Sequence, residues 1–157
     1  QCTSPDDIYL ASRGLRTLGV RMKQHEQNAL KVAKWLEQRP EVEKILHPAF
    51  EDSPGHKCWK RDFLGANGLF SFVLNCKDQI AVTAFLDGMH HFKMGYSWGG
   101  YESLILGVSA KSIQNLRTAT KWPYENHLIR LHIGLEDTDD LIDDLEKGFE
   151  RLNQAGL

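Results

Sequence analysis

Leu128-Ile129-Arg130-Leu131-His132-Ile133 alternates apolar with polar side chains. Successive side chains of a strand point to opposite faces, so Ile129, Leu131 and Ile133 are predicted to face a core while Arg130 and His132 share the other side. One buried face and one polar face is the pattern of a sheet covered on one side. A covering helix follows directly: from Asp137, the residues Leu141, Ile142, Leu145, Phe149 and Leu152 form a helical apolar stripe, with acids in the first turn and Lys147 and Arg151 toward the end.

Further strands lie upstream. Leu69 to Leu74 is apolar at nearly every position and reads as a central strand covered on both faces. Phe92 to Met94 and Ser103 to Val108 are strand candidates separated by the loop Gly95-Tyr96-Ser97-Trp98-Gly99-Gly100, and Val42 to Leu46 is a short one. Asp78 starts a helix that ends near Gly88. The polar stretch from His47 to about Lys60 reads as a loop anchored by Phe50 and Trp59.

Two helices open the chain. Ser4 can cap the first, Pro5 fits its first turn, and Asp6 and Asp7 complement its positive end, so a helix is predicted through about Arg13. After Gly14, Leu18, Met22, His25, Ala29, Val32 and Leu36 recur at spacings of four and three until Pro40 stops the pattern. This order predicts an α+β fold: a mostly antiparallel sheet of about four strands with helices on one face, preceded by a long helix.

The 157 residues are 41% hydrophobic, enough for one packed domain, and the formal charge of −2 leaves no basic footprint for nucleic acid or anionic membrane. No apolar run approaches the roughly 18 residues needed to cross a bilayer. Cys2, Cys58 and Cys76 are odd in number and without a short pair spacing, which fits a reducing cytoplasm better than a disulfide framework. The chain opens at Gln1 and enters a helix almost at once, which reads as a cut boundary.

Arg130 is the first candidate for chemistry, because a guanidinium in an apolar strand must find an acceptor or face water, and its fork suits a carboxylate. Spacing alone leaves a solvated arginine on an open sheet face equally possible. The loop Tyr96-Ser97-Trp98-Gly99-Gly100 joins two hydroxyls and an indole to glycines that permit close approach, although a turn whose aromatics plug the core has the same composition. His90, His91, His127 and His132 raise a metal site. Adjacent histidines on a strand diverge and no His-x-x-x-His or Cys-x-x-Cys spacing occurs, so no metal ligand is assigned, and His47, His56 and His127 read as loop residues. Ser97 has no Gly-x-Ser-x-Gly setting, and the acids from Glu136 to Asp140 read as a helix start.

Three stretches in order carry a resemblance: Arg13-Gly14-Leu15-Arg16-Thr17-Leu18 continuing to Arg21-Met22, then Ser97-Trp98-Gly99-Gly100-Tyr101-Glu102-Ser103-Leu104, then Ile129-Arg130-Leu131-His132-Ile133-Gly134-Leu135-Glu136-Asp137. From Ser4 to Leu152 the chain resembles the C-terminal part of the Cys/Met-metabolism pyridoxal-phosphate enzymes, of aspartate-aminotransferase-like fold type I. The resemblance implies that Arg130 binds the α-carboxylate of an amino-acid substrate and that Ser97 and Trp98, with Tyr96, line the same pocket. Related γ-lyases and γ-synthases carry a Glu-Ser-Leu-Gly-Gly form of the loop. Tyr96-Ser97-Trp98-Gly99-Gly100 looks like the β-lyase form, which implies β-elimination of L-cystathionine to homocysteine, pyruvate and ammonia.

The resemblance also implies what the chain lacks. The Schiff-base lysine of that family lies upstream of the segment matched here, and Lys93 and Lys111 do not match it. Residues 1–157 are therefore expected to be a single C-terminal domain, with 1–40 a helical lead-in from a missing cofactor domain and 41–157 the α+β body. Pyridoxal phosphate is expected in the full-length enzyme, a homotetramer, and neither the cofactor nor a catalytic residue in this piece. An independent α+β ligand-binding or regulatory module is the alternative. It predicts a polar outer face on the first two helices, whereas a detached domain predicts an uncovered apolar stripe there.

Overall fold

A computed structural model describes residues 2–156; Gln1, where the sequence suggests a cut boundary, and Leu157 lie outside them. The chain forms α1 (Pro5–Arg16), α2 (Leu18–Leu36), β1 (Val42–Leu46), α3 (His56–Asp62), β2 (Leu69–Leu74), α4 (Gln79–Leu86), β3 (Lys93–Met94), β4 (Leu104–Val108), α5 (Ala110–Leu116), β5 (Leu128–His132) and α6 (Thr138–Ala155). The local signals sit where expected. Ser4 accepts from the Asp7 N–H with Pro5 in the first turn, and Asp78 and Asp137 cap α4 and α6. Gly14 does not end the first helix, which runs to Arg16 and breaks at Thr17, where ψ is 4°.

The sheet order is β1-β2-β5-β4-β3, with β5 central. Three pairings are antiparallel, but β3 joins β4 in parallel, so the sheet is five-stranded and mixed, not four-stranded and antiparallel. The parallel edge has a direct cause. The chain leaves β3 at Met94, which pairs with Ile105, and must come back along the sheet to enter β4 at Leu104. The loop that returns is the glycine-rich one.

One face of the sheet is the core. Phe70, Phe72, Leu74, Ile105, Ile129 and Leu131 pack with Val82 and Phe85 of α4, Leu145 and Phe149 of α6, and Ala29, Val32 and Leu36 of α2. The apolar stripe of α2 is therefore divided: its C-terminal half is buried, while Leu18 and Met22 are exposed. No residue of α1 is buried. β2 is less covered than its sequence suggests, with Leu69 and Ser71 half-buried on the face it shares with Arg130. The stretch from His47 to Lys60 contains part of α3, which continues to Asp62, and α5 had no assignment from sequence. No helix among the described residues is long and apolar enough to cross a membrane.

Candidate functional site

The site lies on the other face of β5. Arg130 pairs across with Ser71 on β2 and Leu106 on β4, and His132 with Leu69 and Leu104, which places the two polar side chains side by side on one face. The returning loop crosses over them. Arg130 Nη2 donates to the carbonyls of Gly95 at 3.2 Å and Tyr96 at 2.8 Å. Nε and Nη1, which carry three of the five guanidinium donors, make no hydrogen bond among the described residues.

His132 meets the far end of the loop. Its Nε2 lies 3.0 Å from the Gly100 carbonyl, and the Gly99 N–H lies across the imidazole edge, 3.2 Å from Nε2 and 3.4 Å from Nδ1. A carbonyl only accepts, so Nε2 carries the proton and Nδ1 is left to accept from Gly99. Burial holds this imidazole below the usual histidine range, with the Gly100 carbonyl pulling upward, His25 and Arg130 adding to the depression and Glu136 opposing it. Gly99 has φ +88°, a conformation that favours glycine, and this turn presents its N–H and the next carbonyl to one ring.

Two further contacts fix the frame. The Glu136 carboxylate accepts from the Ser103 N–H at 2.7 Å and its hydroxyl at 2.8 Å, and Ser103 Oγ accepts from the Gly134 N–H. A side chain at Gly134 would sit 2.1 Å from the Tyr101 carbonyl, so glycine is required by close approach. On the upstream side, Asp144 of α6 accepts from the backbone N–H groups of His90, His91 and Phe92, setting the chain that enters β3. Sequence patterning placed His132 on the Arg130 face but gave it no role, and Asp144 was indistinguishable from the other acids of its helix.

The residues singled out from sequence come together only in part. Arg130 touches the loop through backbone carbonyls, while the Tyr96, Ser97 and Trp98 side chains are exposed and make no hydrogen bond among the described residues. Trp98 lines a cavity of about 160 Å³ with Leu18, Met22, His25, Gly99 and His132. Among the described residues no three of His, Cys, Asp or Glu cluster as metal ligands. Lys93, beside the loop, is exposed, and its ammonium donates to the His90 carbonyl at 2.8 Å.

Fold and site together define an α+β domain in which an arginine beneath a glycine-rich loop keeps guanidinium donors without a hydrogen bond among the described residues. The chain belongs to the Cys/Met metabolism PLP-dependent enzyme family, which matches residues 1–150. It is 52% identical to cystathionine beta-lyase MetC of Escherichia coli (strain K12) over 97% of this chain and 39% of that protein. It is 43% identical to the L-alanine/L-glutamate racemase of Wolbachia pipientis wMel, over 93% of this chain and 36% of that protein. Cystathionine gamma synthase from Xanthomonas oryzae pv. oryzae, solved in complex with aminoacrylate and cysteine, superposes with a TM-score of 0.82 at 35% identity, covering 97% of this chain and 40% of that one. The chain thus spans about two fifths of the proteins it matches.

Proposed function

We propose that this chain is the C-terminal, substrate-carboxylate-binding domain of a pyridoxal-phosphate-dependent cystathionine β-lyase that converts L-cystathionine to homocysteine, pyruvate and ammonia. The observation that carries the reading is Arg130: one nitrogen is tied to the carbonyls of Gly95 and Tyr96, at the start of the loop that carries Ser97 and Trp98, and the three other N–H donors make no hydrogen bond among the described residues. A carboxylate docked at Nη1 receives charge-assisted hydrogen bonds from a guanidinium whose orientation is already fixed, so little is lost in ordering it.

In this reading Arg130 sets the direction of the substrate's Cα–H bond, and Trp98, Ser97 and Tyr96 form the pocket wall that excludes water. The group that takes the proton and the attachments of the cofactor belong to the part of the enzyme outside this chain. Residues 1–40 serve as the helical lead-in and 41–157 as the α+β body. The exposed apolar surface supports this division: Ile8, Tyr9, Leu10, Leu15, Val20 and Leu64 stand open to solvent, where an independent module would present polar residues. We further place the intact enzyme in the cytoplasm as a homotetramer.

The test is turnover by the intact enzyme with Arg130→Ala. Loss of transition-state stabilisation of roughly 2–5 kcal/mol, read as kcat/KM for pyruvate release, is expected for removing a desolvated charge contact. Unchanged kcat/KM would remove Arg130 from the site. Because a relative at 43% identity is a racemase, D-alanine or D-glutamate formation is measured alongside; racemisation without pyruvate would assign that reaction instead.

A further inference from the structure

Arg130 and His132 hold the loop at its two ends. They lie two positions apart on one face of β5, about 7 Å along the strand. Arg130 takes the Gly95 and Tyr96 carbonyls, and His132 takes the Gly99 N–H and the Gly100 carbonyl. Ser97 and Trp98 hang between these two attachments with no side-chain hydrogen bond among the described residues. We propose that His132 is a positioning residue for the substrate pocket: as the neutral Nε2–H tautomer it fixes the far end of the loop and so sets where Ser97 and Trp98 stand relative to a carboxylate at Arg130.

This rests on the reading of Arg130 given above. The ring itself is well placed for the role. His132 is 3% exposed, and on one side a Cβ added at Gly68 would come within 3.1 Å of Cε1, so backbone closes that flank. On another side His25 of α2 packs against it, with ring centroids 5.3 Å apart and the planes tilted by 43°. His25 is itself fixed, because its Nδ1 lies 2.8 Å from the Ile133 carbonyl and must donate to it. Asn28, one turn on, donates to the Gly134 carbonyl at 3.1 Å. The backstop of the loop is therefore α2, tied to the end of β5.

Neither loop group held by His132 has another partner among the described residues. Replacing the imidazole by an apolar ring of similar size keeps the packing and removes both contacts. The loop is then held by Arg130 at Gly95 and Tyr96 and, beyond Gly100, by the Leu135 N–H on the Tyr101 carbonyl, with nothing between. The backbone between Ser97 and Gly100 gains freedom, and the pocket wall is ordered only when substrate binds, which appears as weaker binding and not as lower stability.

The experiment uses the intact holoenzyme with His132→Phe, His132→Gln and Arg130→Ala. For His132→Phe we expect KM for L-cystathionine to rise about tenfold, the equivalent of one or two hydrogen bonds, with kcat changed far less. His132→Gln keeps a donor near the position of Nε2 and is expected to recover most of that loss. Acrylamide quenching of Trp98 fluorescence, taken as the difference from the matching Trp98→Phe protein, should increase in His132→Phe and return in His132→Gln. If His132→Phe does not fold, His132→Asn, whose amide stops short of Gly100, is read in the same way. A fall in melting temperature with KM and quenching both at wild-type values would make His132 a purely structural residue and overturn the proposal. Failure of glutamine to recover either readout would overturn its hydrogen-bond basis. Wild-type kinetics in Arg130→Ala would instead overturn the pocket assignment beneath it.

Discussion

Arg130 uses a single nitrogen, Nη2, to hold two carbonyls of the loop, and the rest of its fork has no hydrogen-bond partner among the described residues. That division makes a sharper test than deletion. Lysine preserves the charge but offers one compact ammonium on a flexible stem, so it serves the loop or the carboxylate and not both. Arg130→Lys is expected to lower kcat/KM for cystathionine by at least about tenfold, through KM, and pyruvate release in the intact enzyme reads it. The placement of Arg130 and His132 on one face was legible in the sequence, because a period of two is a local property of a strand. What lies above them was not. The contacts to Gly95, Tyr96, Gly99 and Gly100 follow from where a loop returns, and no local pattern encodes that return. Asp144 was hidden for a related reason: a carboxylate on a helix looks solvated until the segment that needs it is in place, and here that segment lies more than fifty residues upstream.

At the scale of elements, β3 shows how a two-residue strand sets the site. It is too short to stabilise itself, and Asp144 compensates by taking the N–H groups of His90, His91 and Phe92 just before it. Asp144→Ala would leave those donors, part-buried at His90 and His91 and buried at Phe92, without their partner. We expect a loss of about 3 kcal/mol of stability, with Asp144→Asn losing less because its amide oxygen still accepts. Urea denaturation at neutral pH measures both, and an alanine variant as stable as the parent would show that the three N–H groups find water instead. The elements whose caps and periods are local, such as α1, α4 and α6, were readable from sequence within a few residues. Those fixed by neighbours were not. α3 has no side-chain cap and no buried residue, and is instead tied by Trp59 Nε1 to the Gly65 carbonyl; α5, capped by Ser109, likewise buries nothing. Both lack the apolar stripe that periodicity detects.

The molecule as a whole carries a pH dependence that its histidines determine. His47 is buried, its Nδ1 accepts from the Ala49 N–H, and burial pushes its pKa below the ordinary 6.5, with Glu26 pulling weakly upward. His132 is depressed in the same way, also chiefly by burial. Both imidazoles bind protons less readily in the folded chain than in the unfolded one. Their contribution to stability is therefore complete above about pH 6.5 and is lost as pH falls from there through the folded values, because the unfolded state then takes up protons that the folded state resists. Glu41 adds a loss of the same sign only at lower pH: burial raises its pKa, but hydrogen bonds from Asn153 and Arg39 outweigh that and hold it below 4.5. A comparison between pH 7.5 and 5.5 thus isolates the histidines. We expect the free energy of unfolding to fall on going to pH 5.5, by up to about 1.4 kcal/mol for each histidine per pH unit below its unfolded pKa. Urea titrations at the two pH values measure it, and His47→Asn should flatten the dependence by removing one of the two groups. A protein equally stable at both pH values would mean that neither imidazole is shielded from protons in the folded chain.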